Sequence, residues 1–374
     1  HLAPTMREDC TSQQKDRPLF HLFSPHDYLS TIAPVIQFGV CQRTDKSMEF
    51  LIMAVMSAFV SVVPALFFLW FIWWLDRYDR EPWYLVAGAF GWGAGGAIFI
   101  AIVASLTIAA PFHLVITKGA VMSLSIVVIA PFVEEIAKGI ILVPLAFHRK
   151  FDGLVDGMVY GAIVGLGFAV TENFFYYLGV FAKSGVASWA FTVVLRTFCS
   201  TWMHALASGL TGAAIGYAKF AHGKARWLVP PLGLLLAMAV HCFYNGAIVI
   251  AQTKGLPAIF LFDIIVLVIE LITAFAIMQW ALHRESLVIQ QELLEECHNG
   301  VITMEHYETI PSYWNRLSQI WKRGASHYFE MQEFFGVATE LALRKHEAKQ
   351  CEGSRREQLL QNVERLRERL KELT

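Results

Sequence analysis

Charge is what this sequence has least of: 16% of its 374 residues are Asp, Glu, Lys or Arg, while 56% are hydrophobic. Soluble domains carry about 25% charged residues, so most of this chain is not built for water. The two signs nearly cancel to a net −1, and no global field favours nucleic acid or an acidic substrate. The six cysteines include no Cys-x-x-Cys pair, which removes a zinc-knuckle reading. Neither a His-Glu-x-x-His helix nor a Gly-x-Ser-x-Gly elbow occurs, so the common zinc and serine hydrolase signatures are missing. Segments of alternating polarity are missing too, which leaves helices rather than a β-barrel as the way to satisfy backbone groups in lipid.

What is present is a series of long apolar runs. A helix needs roughly 20 apolar residues to cross a bilayer core of about 30 Å. About seven runs qualify on that measure: 50–75, 83–110, 120–147, 154–181, 188–218, 228–252 and 258–282. The expected fold is all-α, a polytopic membrane bundle with a charged helical tail at the C-terminus. Residues 1–47 follow no clear pattern and are expected to be an N-terminal extension upstream of a native start near Met48. Residues 48–282 form the transmembrane core and 283–374 the tail. Cys10 and Cys41 could pair if the extension lies outside the cell; Cys199 and Cys242 read as buried thiols.

The short connections sort by charge. Arg77, Arg80, Arg149, Lys150, Lys219, Lys224 and Arg226 fall on one side, and Lys118, Lys183 and Lys254 on the other. The positive-inside rule places the first set, and with it the tail, in the cytoplasm of a cell-membrane protein. Arg43 and Lys46 weigh mildly the other way. In the tail, Tyr313, Trp314, Leu317, Ile320 and Trp321 form a stripe at helical spacing, suited either to the membrane surface or to the tail's own core. Leu359, Val363, Leu366 and Leu370 form a short seam of the coiled-coil kind.

The few charges inside the apolar runs are the informative ones, because each costs at least about 2.5 kcal/mol to insert. The third run holds Glu134, Glu135 and Lys138 in PFVEEIAKG. Lys138 is three residues from Glu135 and four from Glu134, so it can neutralise one glutamate and leave the other for work. A carboxylate so placed can take a proton from water. The fourth run carries Glu172, the fifth Arg196 and His204, and the sixth His241 and Asn245 one turn apart. A lone intramembrane histidine more often serves packing, as the glycine ladder Gly157, Gly161, Gly165 does. Polar sites on four consecutive helices, if they converge, supply a base, a proton carrier and an amide donor for an oxyanion.

These strings resemble the motifs of PrsW-type membrane proteases. EEIAK at 134–138 is similar to their EExxK motif, and FAVTE at 168–172 to FxxxE. His241 stands where HxxxD begins, with Asn245 in place of Asp, as in the CAAX prenyl endopeptidases. DRYDREP at 76–82, FDGLVDGMVYGAIVGLGFA at 151–169, and Arg196 eight residues before His204 extend the likeness over roughly 48–255. The resemblance implies an intramembrane endopeptidase acting on membrane-spanning proteins, typically a site-1 protease of anti-sigma factors. Within it Glu134 would activate water and Glu135 would pair with Lys138. Glu172, His204 and His241 would complete the site, and Asn245 would serve the oxyanion. The family has also been grouped with metallopeptidases, and His204, His241, Glu134 and Glu172 are zinc ligands by type. A metal-free glutamate mechanism with no cofactor is the expectation, on the likeness to the prenyl endopeptidases and the missing His-Glu-x-x-His. A proton-coupled transporter is the competing class, but no second copy of EExxK gives the internal repeat common in transporters. An inactive scaffold of the same fold is the other. The expected partners are the bilayer, a membrane-spanning substrate, and a regulator or second copy through the tail, with no nucleic acid.

Overall fold

A computed structural model describes residues 44–374 apart from positions 77, 79, 149 and 152. The expectations for residues 1–43, among them the Cys10–Cys41 pair and Arg43, and those for Arg77 and Arg149, lie outside the described residues. Among the described residues every regular element is helical.

Five helical stretches are long and apolar enough to cross a membrane: Ser47–Leu75, Trp83–Leu114, Leu154–Lys219, Ala225–Lys254 and Pro257–His298. The first is α1 (Thr44–Leu75). The second runs from α2 (Trp83–Gly91) through a π-turn at Trp92–Ala97 into α3 (Ile98–Ala109). The third stretch is α7 (Leu154–Leu195), a π-turn at Arg196–Ser200 and α8 (Thr201–Phe220). Its 66 residues would extend about 100 Å as one rod, three times a bilayer core. The chain instead turns at Gly185, whose φ of 76° and ψ of −172° break the helix and suit a residue without a Cβ. The two halves then pack antiparallel. A methyl group on Gly157, Gly161 or Gly165 would overlap the backbone oxygen of Gly212, Ser208 or His204 respectively, so the ladder permits backbone-to-backbone approach.

The expected span 120–147 is not one helix. It is built from α4 (Lys118–Leu124), a π-turn at Ser125–Ile129, α5 (Ala130–Gly139) and α6 (Leu142–Ala146). Helix α9 (Ala225–Lys254) and α10 (Pro257–His298) follow. Burial ranks these elements. The Leu154–Lys219 stretch is 78% buried in its most apolar window, while α1 and α10 are 22% and 11% buried and present apolar side chains outward. The α7–α8 hairpin is therefore the centre of the bundle and the others its wall.

Helix α10 continues unbroken past His283, so the change from apolar to charged sequence there falls within one helix. Its far end packs with α11 (Met304–Thr309), α12 (Tyr313–Arg323), α13 (Tyr328–Gln350) and α14 (Gly353–Leu373) around a second core that includes Ile289, Leu293, Ile310, Phe334 and Leu341. Of the Leu359–Val363–Leu366–Leu370 seam, Val363, Leu366 and Leu370 pack into that tail core, and Leu359 is buried as well. This tail docks on the loops that carry the basic residues. The Tyr78 hydroxyl and Ser286 Oγ donate to the Pro311 carbonyl at 2.9 and 2.7 Å, and Lys150 pairs with Glu340 at 3.1 Å.

Candidate active site

The site starts from the break in the third apolar path. Pro131 has no N–H, so in the π-register the carbonyl of Ile126 loses its donor. Asn245 Nδ2, on α9, donates to that oxygen at 2.9 Å. Helix α9 is thereby tied to α5, and His241, one turn before Asn245, comes to face Glu134 and Glu135.

On α5 one face looks out and one looks in. Phe132, Ile136 and Ile140 are exposed, whereas Glu134, Glu135 and Lys138 are no more than 2% exposed. Lys138 Nζ lies 2.7 Å from Glu135 Oε1 and 3.7 Å from Glu134 Oε2, so the lysine serves one glutamate closely, as its spacing implied. The same ammonium is 2.9 Å from His204 Nδ1 and 4.1 Å from the centre of the Phe168 ring, a cation–π contact in a desolvated setting.

The hairpin supplies the opposite wall. Arg196 Nη2 and His204 Nε2 both reach Glu172 Oε2, at 2.6 and 2.8 Å, while Arg196 Nε donates to Asn173 Oδ1 at 2.8 Å. The π-turn that begins at Arg196 is pinned in turn. Thr201 Oγ1 donates to the Arg196 carbonyl and accepts from Asn173 Nδ2. These contacts fix the imidazole tautomers. An ammonium can only donate, so His204 Nδ1 accepts from Lys138 and Nε2–H donates to Glu172. His241 Nδ1 lies 2.9 Å from Glu135 Oε1, a carboxylate that can only accept, so Nδ1 carries the proton. In the neutral ring this leaves Nε2 as the acceptor, 3.8 Å from Glu134 Oε2. The two rings stand perpendicular, 4.9 Å between centres.

The structure thus brings together Glu134, Glu135, Lys138, Glu172, Arg196, His204 and His241. Asn245, one turn beyond His241, spends one N–H of its amide on the Ile126 carbonyl. Asn173, and Ser208 with its Oγ 3.4 Å from Glu135 Oε2, were not singled out from the sequence. Small polar residues in an apolar helix carry no signal until their neighbours are known. A second buried acidic group, Asp76, Glu81 and Asp156, lies in the strings around 76–82 and 151–169, with Tyr160 donating to Glu81 at 2.5 Å.

One carboxylate oxygen and two imidazole nitrogens, from Glu134, His204 and His241, lie within 4.8 Å of one another. By donor type this set fits a divalent ion of the catalytic zinc kind, and Glu135 on the far nitrogen of His241 is the usual supporting carboxylate. The Lys138 ammonium stands among these residues on one nitrogen of His204 and Glu172 on the other, so an ion bound through His204 would have to displace one of these contacts.

Fold and cluster together define a polytopic membrane protein with a buried carboxylate–imidazole centre, equipped for acid–base chemistry. The model of the "PrsW family intramembrane metalloprotease" matches residues 81–276, a span that contains the whole cluster. The Protease PrsW of Bacillus subtilis is 32% identical over 198 residues, covering 51% of this chain and 81% of that protein. The Protease PrsW of Geobacillus kaustophilus is 30% identical over 195 residues, covering 52% and 80%. No solved structure matches this chain. The chain belongs to the PrsW family of intramembrane proteases and is a multi-pass membrane peptidase.

Proposed function

We propose that this protease hydrolyses membrane-spanning substrates with a water molecule activated by Glu134. The observation that carries the reading is the unequal grip of Lys138 on two adjacent glutamates, 2.7 against 3.7 Å. Glu134 Oε2 and the lone pair of His241 Nε2 face each other across 3.8 Å, and both accept hydrogen bonds. Water donating to both would turn its own lone pair outward, towards a substrate carbonyl. Glu134 takes the proton as the O–C bond forms and returns it to the leaving amine as the C–N bond breaks. Glu135 holds His241 in its tautomer, and Glu172 with Arg196 does the same for His204. The remaining N–H of the Asn245 amide is the donor assigned to the oxyanion. Family membership supports a single-span regulator of the anti-sigma-factor type as substrate. The docking of the tail on the loops of Arg80, Lys150 and Lys219 supports a cytoplasmic tail.

The donor set favours a second reading, in which Glu134, His204 and His241 would hold a divalent ion, and the Lewis acidity of such an ion would be what the site supplies to the scissile carbonyl. Protein shown by mass spectrometry to be metal-free after dialysis against a chelator keeps its rate under the first reading and loses it under the second. Both need water. Ser208 is 1% exposed and sits against Glu135, so Ser208→Cys is a near-isosteric probe that leaves every ion pair in place. With all six native cysteines replaced, the thiol is expected to react with a small charged aqueous reagent. Absence of labelling in the folded variant means that water does not reach the site, and hydrolysis there is ruled out.

A further inference from the structure

The tail carries an outward face that its own core does not use. On α12, Ile320 turns towards the tail core, and Arg316 is buried, donating to the Ile310 carbonyl and to Thr339 Oγ1 at 2.5 and 2.6 Å. The stripe noted in the sequence is therefore split. Trp314 and Trp321, seven residues apart and so on one face, are 65% and 78% exposed, with half-buried Leu317 between them. Phe329, just beyond, is 82% exposed. Lys322 and Arg323 close the helix and are exposed.

The position of this face identifies what covers it. Tyr313, at the start of α12, stands edge-on to Trp74 at the end of α1, ring centres 6.4 Å apart. Trp74 belongs to a belt of aromatic residues at this end of the bundle. Trp70, Trp83, Tyr84 and Trp280 are each more than half exposed, and Arg80 and Arg284 lie over Trp73 and Trp280. Exposed tryptophans and tyrosines beside arginines mark the boundary between acyl chains and headgroups. The tryptophan face of α12 continues that belt from the tail's side.

We propose that α12 is an interfacial membrane anchor. Trp314, Leu317 and Trp321, continued by Phe329, insert at the headgroup–acyl boundary next to the end of α1, and Lys322 and Arg323 reach anionic headgroups. The partner is the bilayer itself, and the effect is to hold the tail flat against the membrane over the loops it contacts. The inference is independent of the catalytic reading.

The test uses the full chain without its native cysteines, reconstituted in vesicles that contain anionic lipid. An environment-sensitive fluorophore is placed at Trp314→Cys, Trp321→Cys or Asn315→Cys. Asn315 lies on the same helix, exposed and about 100° from Trp314. All three positions are exposed, and unchanged circular dichroism and elution in detergent check the fold. Labels at 314 and 321 are expected to be quenched by spin-labelled lipid about twofold or more beyond the label at 315, and to resist aqueous iodide. Labels at 314 and 321 that behave like the one at 315 overturn the proposal. So do labels shielded from iodide yet untouched by the lipid quencher, because a protein partner or a second copy then covers the face.

Discussion

At Lys138 a single cation touches Glu135, His204 and the ring of Phe168, with Glu134 one ångström further out than Glu135. Replacing it by Met leaves buried carboxylates without their cation. That costs about 3–5 kcal/mol when one partner of a buried pair is removed. Lys138→Met is therefore expected to lower the thermal midpoint as well as the activity, read by circular dichroism and a cleavage assay on the same preparation. A stable but inactive variant would make the lysine a direct participant in chemistry. That Lys138 could serve only one of the two glutamates was legible from spacing, while the choice of Glu135 came from the family resemblance, since three- and four-residue steps both bring a pair together. The partner on His204 Nδ1 was not legible from spacing, since it comes from a residue 66 positions away and depends on how the hairpin packs against α5.

The elements that hold these side chains are placed by small residues and by interrupted hydrogen bonding. Gly165 lies against the backbone of His204, and a methyl there would overlap the His204 carbonyl oxygen. Gly165→Ala is expected to push α8 from α7, at a cost of about 1–3 kcal/mol, and to misplace His204. A shift of about 1 Å at such a site can remove most of the rate, so activity falls more than stability does. A variant with a lowered midpoint and full activity would show that the hairpin has slack at this point. The glycine ladder was visible in the sequence as a packing face, but the segmentation of 118–146 was not. Its composition reads as one continuous span, and the interruption arises where Pro131 leaves the Ile126 carbonyl to Asn245, an accommodation that depends on α9. In the tail, Glu347 on α13 meets Arg355 of α14 at 2.7 Å, and Arg344, one turn back on its own helix, at 2.8 Å. Burial alone would raise its pKa, but the hydrogen bonds from Arg355 and Arg344 prevail and hold it below the usual carboxylate value. A depressed folded pKa gives stability that is present above the ordinary glutamate pKa, about 4.3, and is lost as pH falls through the folded value. Urea unfolding of the full chain with Cys351 as its only cysteine, followed by a fluorophore there between these helices, is expected to show an earlier midpoint at pH 3.5 than at pH 7. The difference should shrink in Glu347→Gln; an equal difference in both proteins would remove Glu347 as its source.

At the scale of the whole molecule, the most buried stretch is the α7–α8 hairpin, and the cluster sits where α5 and α9 close over it. The face of α5 opposite the cluster is exposed at Phe132, Ile136 and Ile140, so one helix separates lipid from the buried carboxylates. Reaction there requires a base that can take a proton from water, and Glu134 is the residue assigned to that step. The most direct measurement is the rate at which purified, reconstituted Glu134→Gln cleaves a membrane-spanning peptide, compared with the unsubstituted protein. Gln keeps the size and the hydrogen-bonding oxygen but cannot take the proton. The rate is expected to fall by about 10²-fold or more, with helix content and thermal midpoint unchanged. A folded Glu134→Gln protein that cleaves at close to the original rate would contradict the assignment.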